Sequence, residues 1–175
     1  RIQDSIDRMK TQCPFEKLPV WNDELYLEYH RGCQTTQAHT KRNNRKCEFL
    51  LRQAELLGSL SLVHGGKYAQ KDLYEAWKIV LTNQFHDILP GSSINEVYKQ
   101  TAIDYNEARK LAAGARSHAL KYLADRIDTR GEGTPLLAFN TLSWLRNDVA
   151  QATVSLPKGS FHVVGLDNTT VPFRS

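Results

Sequence analysis

The chain has 175 residues, with 23 Lys+Arg against 19 Asp+Glu for a net charge of +4, and 41% hydrophobic and 24% charged residues. That balance is ordinary for a soluble globular protein and excludes a disordered or collagen-like chain. The longest apolar-looking stretch, around Leu56 to Val63, is broken by Gly58, Ser59 and Ser61, so it falls short of the ~20 apolar residues of a spanning helix and no membrane partner is expected.

The chain opens Arg1-Ile2-Gln3-Asp4, with neither Met nor an apolar signal core, and reads as a piece of something longer without a targeting segment. Cys13, Cys33 and Cys47 are odd in number and lack metal-type spacing; a reducing, cytoplasmic setting is the expectation. Residues 1–22 contain Pro14, Pro19 and the pair Val20-Trp21 and predict an irregular lead-in rather than a long regular element. Leu25 to Tyr29 is too short to decide between strand and helix; an extended segment and loop are expected, ending at His30-Arg31-Gly32.

Thr35 or Thr36 is the expected N-cap of a first long helix, with Cys47, Leu50, Ala54, Leu57 and Ser61 on one face and a stop after Val63 at Gly65-Gly66. The second helix carries Leu73, Ala76, Trp77, Val80, Leu81 and Phe85 as a core stripe and ends before Pro90-Gly91. Ser92 or Ser93 is expected to cap the third, with Glu96 completing a capping box. Its stripe runs through Ile94, Tyr98, Thr101, Tyr105, Ala108, Ala112, Ala115, Ala119 and Tyr122. After the turn cluster at Gly131-Glu132-Gly133-Thr134-Pro135, the runs Leu136–Asn140 and Val149–Leu156 read as short strands. The expected fold class is mainly α: a three-helix bundle over 33–130, preceded by a lead-in over 1–32 and followed by short β-strands over 131–175.

The stretch Asn83-Gln84-Phe85-His86-Asp87-Ile88-Leu89-Pro90-Gly91-Ser92-Ser93-Ile94 sets an imidazole beside a carboxylate where one helix breaks and the next begins. Both side chains can leave the helix surface there and face a cleft, the imidazole as a metal ligand and the carboxylate toward hydroxyls. A structural role has equal standing: a histidine at a helix C-terminus gains from the macrodipole, and an aspartate just ahead of Pro-Gly favours a turn. His30 beside Arg31 is a weaker candidate, and His39, His64, His118 and His162 show no partner spacing. Six Lys/Arg and one acid, Glu48, lie between Arg31 and Arg52. Without interleaved aromatics or a nucleic-acid motif they predict a solvated or domain-bracing face, and no nucleic-acid partner is expected.

The stretch from Gln84 to Ser93 resembles the motif that ends the second helix of the middle domain in glycoside hydrolase family 38 α-mannosidases. Glu24-Leu25-Tyr26-Leu27-Glu28-Tyr29-His30-Arg31-Gly32, with Thr35-Thr36 and Lys41-Arg42-Asn43-Asn44-Arg45, resembles the segment leading into that domain's first helix. Ala138-Phe139-Asn140-Thr141-Leu142-Ser143-Trp144 is similar to the opening strand of the family's C-terminal β domain, and the bacterial and cytosolic type looks nearer than the lysosomal or Golgi type. The resemblance implies retaining hydrolysis of terminal α-mannosides with a divalent cation, zinc, that contacts sugar hydroxyls. By match, His86 is the middle-domain metal ligand and Asp87 the carboxylate that contacts the substrate. The nucleophile, the general acid and the other metal ligands belong to an N-terminal catalytic domain. No catalytic residue is therefore expected in this chain, which should be inactive alone. The implied partners are that domain and the C-terminal β domain, with room for a homo-oligomer. Cys33-Gln34 departs from the family, which commonly has threonine and an aromatic residue there.

Overall fold

The computed structural model describes every residue except 26, 27, 156–158, 166 and 175, with backbone alone at 15 and 28. Its elements in chain order are α1 (Ile2–Gln12), α2 (Ala38–Val63), α3 (Gln70–Asn83), α4 (Asn95–Ala124), β1 (Val163–Val164) and β2 (Thr170–Val171), with short 3-10 turns at Phe15–Lys17 and Glu28–His30. The expected three-helix bundle is α2, α3 and α4, in which α4 packs along both of the others.

The bundle core follows the apolar stripes. Cys47, Leu51 and Ala54 from α2 meet Leu73, Ala76 and Val80 from α3 and Tyr105, Ala108, Ala112 and Ala115 from α4. Leu57, Ala119 and Leu123 form a second cluster, against which Phe139 of the following segment packs. The alanine run lets the long helices approach closely, because a methyl side chain is the smallest that still removes apolar surface from water. The 30 residues of α4 correspond to about 45 Å of helix.

Several expectations are corrected. The lead-in is not irregular throughout: α1 occupies residues 2–12, held by local pairs such as Gln3 Nε2 donating to Asp7 Oδ1 at 2.9 Å, and buries no side chain. No Pro or Gly interrupts residues 1–12, and the helix stops at Cys13, extended as a residue before proline should be. Neither threonine caps α2. Its N-cap is Gln37 at φ 53°, without a side-chain cap, because the Thr35 and Thr36 amides close a turn onto Gly32 O at 3.0 and 2.7 Å. Nor does Ser93 cap α4, whose N-cap is Ile94; its hydroxyl donates instead to Asp87 O at 2.5 Å. Leu81, Phe85 and Ile94 are exposed rather than core: α3 ends at Asn83, so Phe85 leaves the stripe, and Leu81 lies on the outer face. Of the segment expected to be extended, residues 26 and 27 lie outside the described residues and Glu28–His30 is a 3-10 turn.

The first predicted strands do not form among the described residues of 136–140 and 149–156. A strand exists only where its amides and carbonyls find a ladder partner, and here Phe139 is spent on the bundle while Thr141 O accepts from Arg52 Nη1 at 3.1 Å. The β structure lies later, as an antiparallel pair with Val163 opposite Val171 and Val164 opposite Thr170. Its turn sets Asn168 at φ 62° and is closed by Gly165 N donating to Thr169 O at 2.8 Å.

Candidate functional site

His86 and Asp87 sit in the break between α3 and α4. Their side chains are 78% and 55% exposed, and His86 Nε2 lies 3.5 Å from Asp87 Oδ2, a contact that becomes an ion pair only with a protonated imidazole. The His86 ring also leans on Phe85, with centroids 4.2 Å apart. The side chains face outward while the backbone beneath them is held. Asp87 O accepts from Ser93 Oγ and lies 3.4 Å from Tyr98 Oη, which itself accepts from Ser93 N at 2.9 Å. Ile88 N and Leu89 N close turns onto Phe85 O, and Gly91 N closes one onto Ile88 O.

On its other side the break docks against the turn that precedes α2. Gly91 adopts φ +98°, and a Cβ there would lie 2.7 Å from Thr36 Cγ2 and 3.0 Å from Thr36 O, so the position requires glycine twice over. Lys41 Nζ donates to Leu89 O at 3.0 Å, to Pro90 O at 3.2 Å and also to Thr36 O. Burial pushes the Lys41 ammonium below its ordinary pKa, with Cys33 acting the other way. A groove of about 480 Å³ lies beside this contact, lined by Cys33, Gln34, Lys41, Asn44, Arg45 and Leu89 among others. The two departures at Cys33 and Gln34 therefore face the space next to the break. Two segments about fifty residues apart are thus brought together.

The sequence reading missed what anchors the end of α3. Gln84 Nε2 donates to Asn44 Oδ1 at 3.0 Å and to Glu48 Oε1 at 2.9 Å, and Tyr105 Oη donates to Asn44 Oδ1 at 3.2 Å. One residue earlier, Asn83 Nδ2 donates to Asp104 Oδ2 at 3.1 Å while its Oδ1 accepts from Thr101 Oγ1 at 2.9 Å. Asn44, Asn83, Thr101 and Tyr105 are all buried, and burial pushes the Tyr105 phenol well up, helped by the electrostatic influence of nearby Cys47, Glu48 and Asp104. The available signal was spacing: Asn44 lies three before Cys47, and Asn83 three after Val80, so each stands where an apolar stripe calls for a hydrophobe. A satisfied polar network there fixes the axial position of α3 and hence where the break begins.

The remaining candidates do not join this cluster. His30 is exposed and ends a 3-10 turn, its carbonyl accepting from Cys33 Sγ at 2.7 Å. His39, His64, His118 and His162 are exposed. Within the basic run, Lys41 turns inward onto carbonyls of the same bundle and Arg45 pairs with Glu48 Oε2 at 2.7 Å. No group of three or more His, Cys, Asp or Glu converges among the described residues, so the donor set here is one outward imidazole with one carboxylate. That set is too small to close a four-coordinate site, yet suits a single imidazole offered to ligands from elsewhere. Among the described residues no helix is long and apolar enough to cross a membrane.

A family model described as Alpha mannosidase middle domain matches residues 28–123. Among curated relatives, the chain is 38% identical over 162 residues to human "Alpha-mannosidase 2C1", covering 90% of this chain and 14% of that protein. It is 34% identical over 160 residues to "Alpha-mannosidase" of Saccharomyces cerevisiae, covering 88% of this chain and again 14% of the relative. The chain thus spans about one seventh of the length of these two relatives. A solved structure, described as a protein in the Glycosyl Hydrolase Family 38 from Enterococcus faecalis, shares the fold at a TM-score of 0.55 and 23% identity, covering 74% of this chain and 15% of that one.

Proposed function

Because the chain belongs to the glycoside hydrolase family 38 α-mannosidases, as their middle domain, we propose that it serves a retaining α-mannosidase by lending two side chains to an active site built mainly by another domain. The observation that carries this reading is the contrast at the helix break: exposed His86 and Asp87 side chains on a backbone pinned by Lys41 of α2, by Ser93 and by Tyr98 of α4. A fixed backbone with outward functional groups is what a shared site needs, since rate depends on holding reacting groups within a fraction of an ångström.

In this reading His86 donates an imidazole nitrogen to a divalent cation, zinc, and Asp87 accepts a hydrogen bond from a sugar hydroxyl. The cation, when bound, supplies Lewis-acid polarisation and a grip on vicinal hydroxyls. The Asp87 carboxylate is well suited to a hydroxyl that gains acidity as the ring moves toward an oxocarbenium state, because a charge-assisted hydrogen bond strengthens as the donor becomes more acidic. Bond cleavage needs two further carboxylates about 5 Å apart, one nucleophile and one general acid, and these come from an N-terminal catalytic domain. Residues 1–32 are the lead-in from that domain, 33–130 the middle domain and 131–175 the start of the C-terminal β domain. The chain alone is therefore inactive. Terminal α-mannosides are the substrate class, and three free thiols suit the cytoplasm.

The test uses the full-length enzyme that contains this chain: metal content and hydrolysis of an aryl α-mannoside, for wild type, His86→Ala and Asp87→Asn. Loss of metal in His86→Ala, with turnover lost in both variants and metal kept in Asp87→Asn, is the expected pattern. Full metal and full turnover in both would reduce the chain to a helical scaffold between catalytic and β domains.

A further inference from the structure

We propose that Lys41 is a positioning residue for this site, latching the His86–Asp87 break onto the turn that precedes α2; the functional half of the proposal rests on His86 being a metal ligand. Among the described residues, the carbonyls that follow the pair divide between two neighbours. Asp87 O and Ile88 O turn toward Ser93 and Tyr98, whereas Leu89 O and Pro90 O accept from Lys41 Nζ at 3.0 and 3.2 Å. Proline contributes no amide to this loop, while Gly91 N is spent on Ile88 O and Leu89 O and Pro90 O accept from Lys41. Lys41 also donates to Thr36 O, which uses the three donors an ammonium possesses. With none left for a ligand, it acts through the backbone and does not touch substrate.

The contact joins segments 48 and 49 residues apart in sequence exactly where Gly91 lies against Thr36. Removing the ammonium leaves Leu89 O and Pro90 O without that donor and frees the break to rotate about Tyr98. His86, three residues before Leu89, then loses its fixed direction. The groove lined by Cys33, Lys41 and Leu89 is a consequence of the same latch, since its two walls are the segments that Lys41 ties together.

The experiment compares wild type, Lys41→Met, His86→Ala and the double variant in the full-length enzyme. Hydrogen exchange is read over 84–94, and zinc affinity by chelator competition. A latch predicts exchange of 85–91 faster by about tenfold or more in Lys41→Met with the amides of α2 and α4 unchanged. It also predicts zinc affinity weakened about 10- to 100-fold, an effect that vanishes once His86 is already alanine. Unchanged exchange over 85–91 overturns the latch. Faster exchange with zinc affinity intact, while His86→Ala loses zinc, overturns the positioning role alone. Zinc retained in His86→Ala instead sinks the metal reading and the positioning role with it, and the exchange data then judge the latch by itself. If Lys41→Met lowers helical content, Lys41→Gln, which keeps a shorter donor, is the milder variant held to the same outcomes.

Discussion

Replacing Tyr105 with phenylalanine removes a single hydroxyl from the most enclosed part of the bundle, and the consequences can be worked through. Tyr105 is fully buried, and its hydroxyl donates to Asn44 Oδ1, which also accepts from Gln84 Nε2 at 3.0 Å. The acceptor therefore keeps a partner, and at neutral pH Tyr105→Phe should cost only about 1 kcal/mol. Asn44→Ala instead strands the buried phenol and should cost about 2–4 kcal/mol, the orphaned hydroxyl plus lost packing. The sign of the pH dependence follows from the upward shift of the phenol above its ordinary 10.0, caused first by burial. A raised pKa in the folded state means that the native protein holds this proton more tightly. The stabilisation is fully present below the unfolded value and is lost as pH rises beyond it, by about 1.4 kcal/mol at one unit above. The advantage of tyrosine over phenylalanine should thus disappear between roughly pH 10.5 and 11 and reverse beyond. Urea unfolding followed by helical circular dichroism, wild type against Tyr105→Phe across pH 7 to 11, measures this difference directly. A gap that stays constant up to the highest pH would refute the assignment of Tyr105 as a neutral buried donor.

Gly91→Ala forces a side chain onto a φ of +98° and within 2.7 Å of Thr36 Cγ2; a loss of about 2–4 kcal/mol is expected in the same unfolding assay. Ala112 is fully buried where α4 meets its neighbours, so Ala112→Leu should overpack and cost about 1–3 kcal/mol. Two residues on, a Cβ at Gly114 would meet nothing within 4 Å, and Gly114→Ala should stabilise by about 0.5–1 kcal/mol, read as a higher melting temperature.

The bundle was legible because its core positions are periodic. Cys47, Ala54, Val80, Tyr105 and Ala112 all lie inside, on faces that spacing by three and four defines, although on the first long helix Leu51 takes the buried place expected of Leu50. The helix starts were less legible. Thr35, Thr36 and Ser93 have good capping chemistry, but each is engaged in a preceding turn, on Gly32 O or on Asp87 O, a competing local use that capping preference alone does not show. The β segment misled for a similar reason, since Leu136–Asn140 has strand composition but pairing depends on a partner that composition does not supply. At the site, the His86–Asp87 pair stood out as two polar residues at a break. Asn44, Asn83 and Gln84 did not, because an amide that is bonded inside the fold looks like a surface amide unless its place on the apolar stripe is weighed. Lys41 was hidden inside a basic run whose other members are exposed, and only the fold shows a lysine turned onto three carbonyls.

X-ray absorption at the metal edge of the full-length enzyme bears most directly on the shared-site role of this domain. If His86 is a ligand, the outer-shell scattering that marks imidazole should fall by one ring's worth in His86→Gln, with helical dichroism unchanged because an exposed side chain contributes little to the bundle. An identical imidazole count in wild type and variant would contradict that role and leave the helix break a structural turn.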